Sequence, residues 1–147
     1  MSAFADSSAL VKLYADEPGF RDVRRVPVLV VSVLARVEVP AAISRKHRTG
    51  DISAEVAAVL IADFEADYYG TDTEAARFAV VGVDDGILSG AARLCSVHGL
   101  RAYDAVQLAS AMAARAAEPD CTSLTAFDAE LRTAAAMEGF ELVPDRL

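Results

Sequence analysis

Ser2-Ala3-Phe4-Ala5-Asp6-Ser7-Ser8-Ala9-Leu10-Val11-Lys12-Leu13-Tyr14 reads as a short strand over Ser2 to Ala5, one acid, and then a helix that stops before Pro18-Gly19. The same succession recurs along the chain. Val28-Leu29-Val30-Val31 is a continuous β-branched and leucine run, as expected of a strand buried on both faces. Ser32 follows as the expected N-cap of a helix carried by Leu34, Val37, Ala41 and Ile43 towards Gly50, with Pro40 inside it to kink it or cost an amide bond. Ser53 is the expected cap of a helix reaching about Tyr69, whose apolar positions include Val56, Val59, Leu60 and Phe64.

Phe78 to Val83 is the expected third strand, Asp84 caps the helix after it, and His98-Gly99 ends that helix with a left-handed cap. Tyr103 to Ala117 is strongly helical, Cys121 to Ala126 is a fourth strand, and a helix from about Asp128 to Met137 leads to a last strand at Phe140 to Val143. Short strands alternating with helices predict an α/β domain with a mainly parallel sheet. No repeat or low-complexity linker divides the chain, so one domain over residues 1–147 is expected.

Bulk properties exclude several classes. No apolar run spans a bilayer, and the opening residues lack the basic flank of a signal peptide, so no membrane association and a cytoplasmic location are expected. Cys95 and Cys121 lie far apart and read as reduced thiols; with His47 and His98 they complete no zinc set. The net charge of −8 argues against broad phosphate binding through basic residues, although ions can offset charge in an acidic nuclease site. There is no phosphate-binding glycine loop, and two histidines outside any base motif do not support a nucleophilic triad.

The acids carry the chemical information. Asp6 and Asp128 each follow an expected strand and precede a helix, at the sheet edge where α/β sites form. Asp104 begins a helix, and Glu38 lies among mostly apolar neighbours in Ala35-Arg36-Val37-Glu38-Val39-Pro40. Two carboxylates about 4 Å apart repel by about 4 kcal/mol at an effective dielectric of about 20, so a convergent set must bind cations or protons. Magnesium takes hard oxygen ligands and serves phosphodiester hydrolysis. Aspartate is also a preferred N-cap, and by spacing alone the caps and the metal ligands stand as equal readings.

Longer motifs add to this. Phe4 to Tyr14 with Glu17-Pro18-Gly19 closely resembles the opening of PIN-domain proteins, in particular the toxin subunits of VapBC toxin–antitoxin pairs. Val33-Leu34-Ala35-Arg36-Val37-Glu38 resembles the second acidic motif of that family, Gly99-Leu100-Arg101-Ala102-Tyr103-Asp104-Ala105-Val106-Gln107-Leu108-Ala109 the third, and Thr125-Ala126-Phe127-Asp128-Ala129-Glu130-Leu131 the fourth. The resemblance implies a PIN-like three-layer sandwich with a central, mainly parallel sheet flanked by helices. It further implies a metal-dependent endoribonuclease using Mg2+, or Mn2+ in its place. Asp6 and Asp104 would be the direct ligands; Glu38 and Asp128 would complete the catalytic pocket as metal residues, binding directly or through bound water, and would help orient the attacking water. RNA would be the substrate, a VapB-like antitoxin the partner, and a homodimer within a hetero-oligomeric complex the assembly. One departure is visible: the family often has serine or threonine two residues before its last aspartate, where this chain has Ala126, with Thr125 one residue earlier.

Lys12 and Arg36 lie close in sequence to site acids and are better candidates for RNA phosphates than Arg24, Arg25, Arg45, Lys46, Arg48 or Arg101. Tyr14, Tyr68, Tyr69 and Tyr103 offer stacking surfaces or core packing. A receiver-like signalling domain would need a late lysine, but Lys12 and Lys46 are the only two. A phosphatase with an aspartate nucleophile would want an acid where Ser8 stands. A PIN-fold binding protein without chemistry remains the alternative.

Overall fold

The computed structural model describes all residues from Met1 to Leu147. Five strands, β1 (Ser2–Ala5), β2 (Val28–Ser32), β3 (Ala79–Val81), β4 (Ser123–Thr125) and β5 (Glu141–Val143), form one sheet in the order β3-β2-β1-β4-β5. Every neighbouring pair is parallel. Parallel strands need crossovers, and helices supply them. α1 (Ser7–Tyr14) and α2 (Phe20–Arg24) join β1 to β2, and α3 (Ala35–Arg48) and α4 (Ala54–Tyr69) join β2 to β3. α5 (Asp85–His98) and α6 (Ala102–Ala117) carry the chain back across the sheet to β4, and α7 (Ala129–Met137) leads to β5.

Side chains alternate across a strand, so each face of this sheet builds its own core. Phe4, Val30 and Leu124 pack with Leu94, Leu108 and Leu131, from α5, α6 and α7. Ala3, Ala5, Leu29 and Val31 pack with Leu10, Ile43 and Phe64, from α1, α3 and α4. The result is the three-layer α/β sandwich with helices on both faces.

The expected caps form at Asp6, Ser53, Asp84 and Asp128, each side chain accepting a backbone N–H from the first turn. Gly99 closes α5 with φ 67°. Several local expectations change. Ser32 does not cap α3; it still pairs with Val81 at the end of β2, and its hydroxyl accepts the Leu34 N–H at 3.2 Å, which delays the helix to Ala35. α3 continues through Pro40, which costs one helix amide bond, one of the two expected outcomes, without dividing the helix. On α4 the inner face is Ala57, Phe64 and Tyr68, while Val56 and Val59 are exposed. Val59 is two residues beyond Ala57 and therefore on the opposite side of the helix. β3 also ends at Val81, because β2 stops at Ser32 and leaves Gly82 and Val83 without partners.

The topology fixes where a site can form. From β1 the chain builds outward through β2 and β3, then returns to the other side for β4 and β5. The order therefore reverses between β1 and β4, and the carboxyl ends of strands at such a switch point are where α/β sheets form their sites. Asp6 is the first residue after β1, and Asp128 caps the helix after β4.

Candidate active site

Asp6 is 5% exposed. Its carboxylate accepts the Ala9 N–H at 2.9 Å and the Ser8 hydroxyl at 2.8 and 2.9 Å. The cap and the site readings therefore coincide in one side chain. Burial pushes its pKa up to about 7; the bonds from Ala9 and Ser8 oppose this, while the charges of Glu38 and Asp104 add to it.

Asp104 lies in the first turn of α6, and burial raises its pKa, with the charge of Asp128 next in effect. Arg101 opposes that rise. Its guanidinium stands between two acids, Nε at 3.4 Å from Asp104 and Nη2 at 3.6 Å from Asp128. The arginine side chain is 75% exposed, so it is a loose screen rather than a fixed partner. Asp128 uses Oδ1 to accept the Leu131 N–H at 2.9 Å and turns Oδ2 towards Arg101.

Glu38 is held from two other elements. Gln107 on α6 donates its amide to Glu38 Oε1 at 2.7 Å, and the Ser7 hydroxyl donates to the same oxygen at 3.1 Å. The Gln107 amide also reaches the Ser7 hydroxyl at 3.2 Å. Gln107 is buried, and its Oε1 has no hydrogen-bond partner. Gln107 and Asp104 are three residues apart on α6, hence on one helix face. That spacing was the available signal for Gln107, which acid-counting overlooks.

All four predicted acids thus gather around one edge of the sheet, linked by charge from Glu38 to Asp6, Asp6 to Asp104 and Asp104 to Asp128. They do not close into a ligand cage: no three His, Cys, Asp or Glu side chains stand close enough to hold one ion. The donor chemistry nevertheless suits a hard divalent cation, since the set is all oxygen and carries more negative charge than Arg101 can offset. At the position of the family departure, the Thr125 hydroxyl is buried without a partner and the Ala126 carbonyl accepts from Arg132 at 3.0 Å.

The remaining predicted residues divide. Lys12 is buried beside the site, with its ammonium 3.1 Å from Glu17 and 4.3 Å from the centre of the Phe127 ring; burial lowers its pKa against the charge of Asp6. Arg36 lies over the Tyr69 ring instead. Tyr14 and Tyr68 pack on Phe64, whereas Tyr69 and Tyr103 are exposed.

A sequence model of the PIN domain matches residues 3–137. The chain belongs to the PIN domain family. PIN domains are generally nucleases that use divalent metal ions. Among solved structures, this PIN domain is similar to a toxin–antitoxin complex from Klebsiella pneumoniae, with TM-score 0.54 and 16% identity over 86% of each chain. It is also similar to a crystal structure of a Pyrobaculum aerophilum protein, with TM-score 0.59 and 22% identity over 91% of this chain and 79% of that one. At these identities the likeness is one of fold. No curated protein matches the PIN chain in sequence. No helix of the chain is long and apolar enough to cross a membrane.

Proposed function

We propose that this chain is a single-domain, metal-dependent endoribonuclease acting in the cytoplasm as the toxin of a toxin–antitoxin pair. The observation that carries the reading is Asp6, a buried carboxylate at the end of the central strand whose pKa is driven up by burial and by the charges of Glu38 and Asp104. Perturbed acids concentrate at functional sites.

In this reading Asp6 and Asp104 hold the divalent ion, Mg2+ or Mn2+. When bound, the ion would offset charge on the phosphate and make water a better nucleophile near neutral pH. Glu38, steadied by Gln107 and Ser7, would orient the attacking water by accepting a hydrogen bond from it. Asp128 completes the acidic wall, with one oxygen committed to the α7 cap and the other facing the exposed Arg101 guanidinium. Ser8 holds the Asp6 carboxylate in one rotamer.

The partner in this reading is a VapB-like antitoxin that lays an apolar segment on exposed side chains and a basic group near the acids. Two copies of the chain pair within the larger complex. A second reading, a PIN-fold binder without chemistry, is favoured by one observation: no three acids close on one point and Arg101 spans two of them.

Incubation of the antitoxin-free protein with total RNA, with and without magnesium, separates the two. Discrete cleavage that needs the metal and vanishes in Asp6→Asn and Asp104→Asn supports the nuclease. Intact RNA after incubation with a folded wild type that magnesium does not stabilise supports the binder.

A further inference from the structure

Beside the acidic site lies a cavity of about 380 Å³ of opposite character. Lys12 and Lys46, the only lysines in the chain, both reach into it and share one carboxylate, Glu17. Arg45 lines the same cavity and pairs with no carboxylate. Asp51 is also present, but its carboxylate accepts the Thr49 hydroxyl at 2.9 Å rather than a cation. In a molecule of net charge −8, this is a concentration of cations that outnumber the acids opposing them.

The cavity is joined to the acidic site through two residues. Ser8 lines its wall and donates to both oxygens of Asp6. Phe127 forms another wall and directly precedes Asp128. Lys12 is 8% exposed, and its ammonium is held 3.1 Å from Glu17 and 4.3 Å from the centre of the Phe127 ring, which restricts its position at the cavity wall. A buried lysine ammonium sharing its only anion with a second lysine retains unused donors, because each ammonium has three.

We propose that Lys12, Lys46 and Arg45 form a subsite for a backbone phosphate of the RNA strand, next to the phosphate held at the acids. The proposal rests on the RNA reading given above. It accounts for how so acidic a chain holds a polyanion: the strand's charge is met by metal at one phosphate and by these three cations at its neighbour. Glu17 is the resident anion that holds the lysines in place until a phosphate competes for them.

A structural role for the Lys–Glu cluster and a phosphate-binding role predict different signs. If the cluster only braces α1 against α3, Lys46→Gln and Glu17→Gln both break the brace and leave RNA affinity alone. If it is a phosphate subsite, Lys46→Gln weakens RNA binding and Glu17→Gln strengthens it.

The experiment is fluorescence anisotropy of the full chain in EDTA with a short fluorescein-labelled single-stranded RNA of mixed sequence, repeated across salt concentrations. Lys46→Gln and Arg45→Gln should each raise Kd several-fold and flatten the slope of log K against log salt, by no more than about 0.7, the share of one whole phosphate contact on a single strand. Lys46→Arg should restore both, and Glu17→Gln should lower Kd. Unchanged Kd and slope in the folded variants, or a wild type that does not bind the probe, overturns the subsite. Because EDTA suppresses cleavage, the nuclease reading is scored separately. Metal-dependent cleavage with no effect of these variants sinks only the subsite; salt-sensitive binding that these variants weaken, without cleavage in magnesium, sinks only the nuclease.

Discussion

Replacing Asp6 with asparagine should stabilise the metal-free protein, and the gain should grow with pH. The carboxyl has an ordinary pKa of 3.8 and is pushed up to about 7 in the folded chain. Between those values the folded state keeps a proton that the unfolded chain has released. Stability contributed by this group therefore falls as pH rises through that window and stays low above it. A rise of about three units is worth about 4 kcal/mol once the pH exceeds the folded pKa.

Asparagine resembles the neutral acid and still caps α1 by accepting the Ala9 N–H. It loses part of the Ser8 interaction, a bond worth about 1 kcal/mol. The variant should therefore gain about 3 kcal/mol at about pH 8 and less than about 1 kcal/mol at about pH 5, by the same linkage. Urea unfolding in EDTA at both pH values measures the two gaps. A gap that fails to widen between them would refute the claim that Asp6 is a buried, uncompensated carboxylate.

Three further outcomes follow from named contacts. Gln107→Leu removes the amide that reaches Glu38 at 2.7 Å; it should cost about 1–3 kcal/mol in a urea melt and lower kcat more than it raises KM, since Glu38 would be misplaced. Arg101→Gln removes the only cation between Asp104 and Asp128. Magnesium should then bind more tightly, by less than about tenfold because the pairs are exposed, as read from the metal concentration at which the melting temperature rises. Leu108→Ala opens a fully buried position in the core between the sheet and α6 and should cost about 2–5 kcal/mol in the same melt, without selective loss of metal binding.

Much of the fold is legible in the chain because its signals are local. A β-branched run, a capping acid and an apolar helix occupy neighbouring residues, so β1-Asp6-α1 and β4-Asp128-α7 can be read without knowing what packs on them. Element ends are less legible where a partner decides them: β3 stops with β2, and Ser32 stays in the sheet instead of capping a helix. On α4, several apolar positions compete for the inner face, and only packing shows that Phe64 and Tyr68 take it while Val56 and Val59 do not.

The four acids are legible because Asp6, Asp104 and Asp128 stand at helix starts, Glu38 stands among apolar neighbours, and each lies in a motif that resembles one of the PIN family. The groups that hold them do not stand out, since they act across the fold. Gln107 reaches Glu38 across 69 residues and Ser7 across 100, and the one local trace of it is its place three residues from Asp104 on one face of α6. The pairing of Lys12 and Lys46 on Glu17 is silent in sequence, because α1 and α3 meet only after β2 has joined the sheet.

The carboxylate pocket is tested most directly by calorimetric titration of Mg2+, and then Mn2+, into the wild type and Asp104→Asn. Saturable binding by the wild type and its loss in a variant that still folds is the expected result. Binding of equal affinity in both proteins, or none in a folded wild type, would contradict a divalent ion held by Asp6 and Asp104.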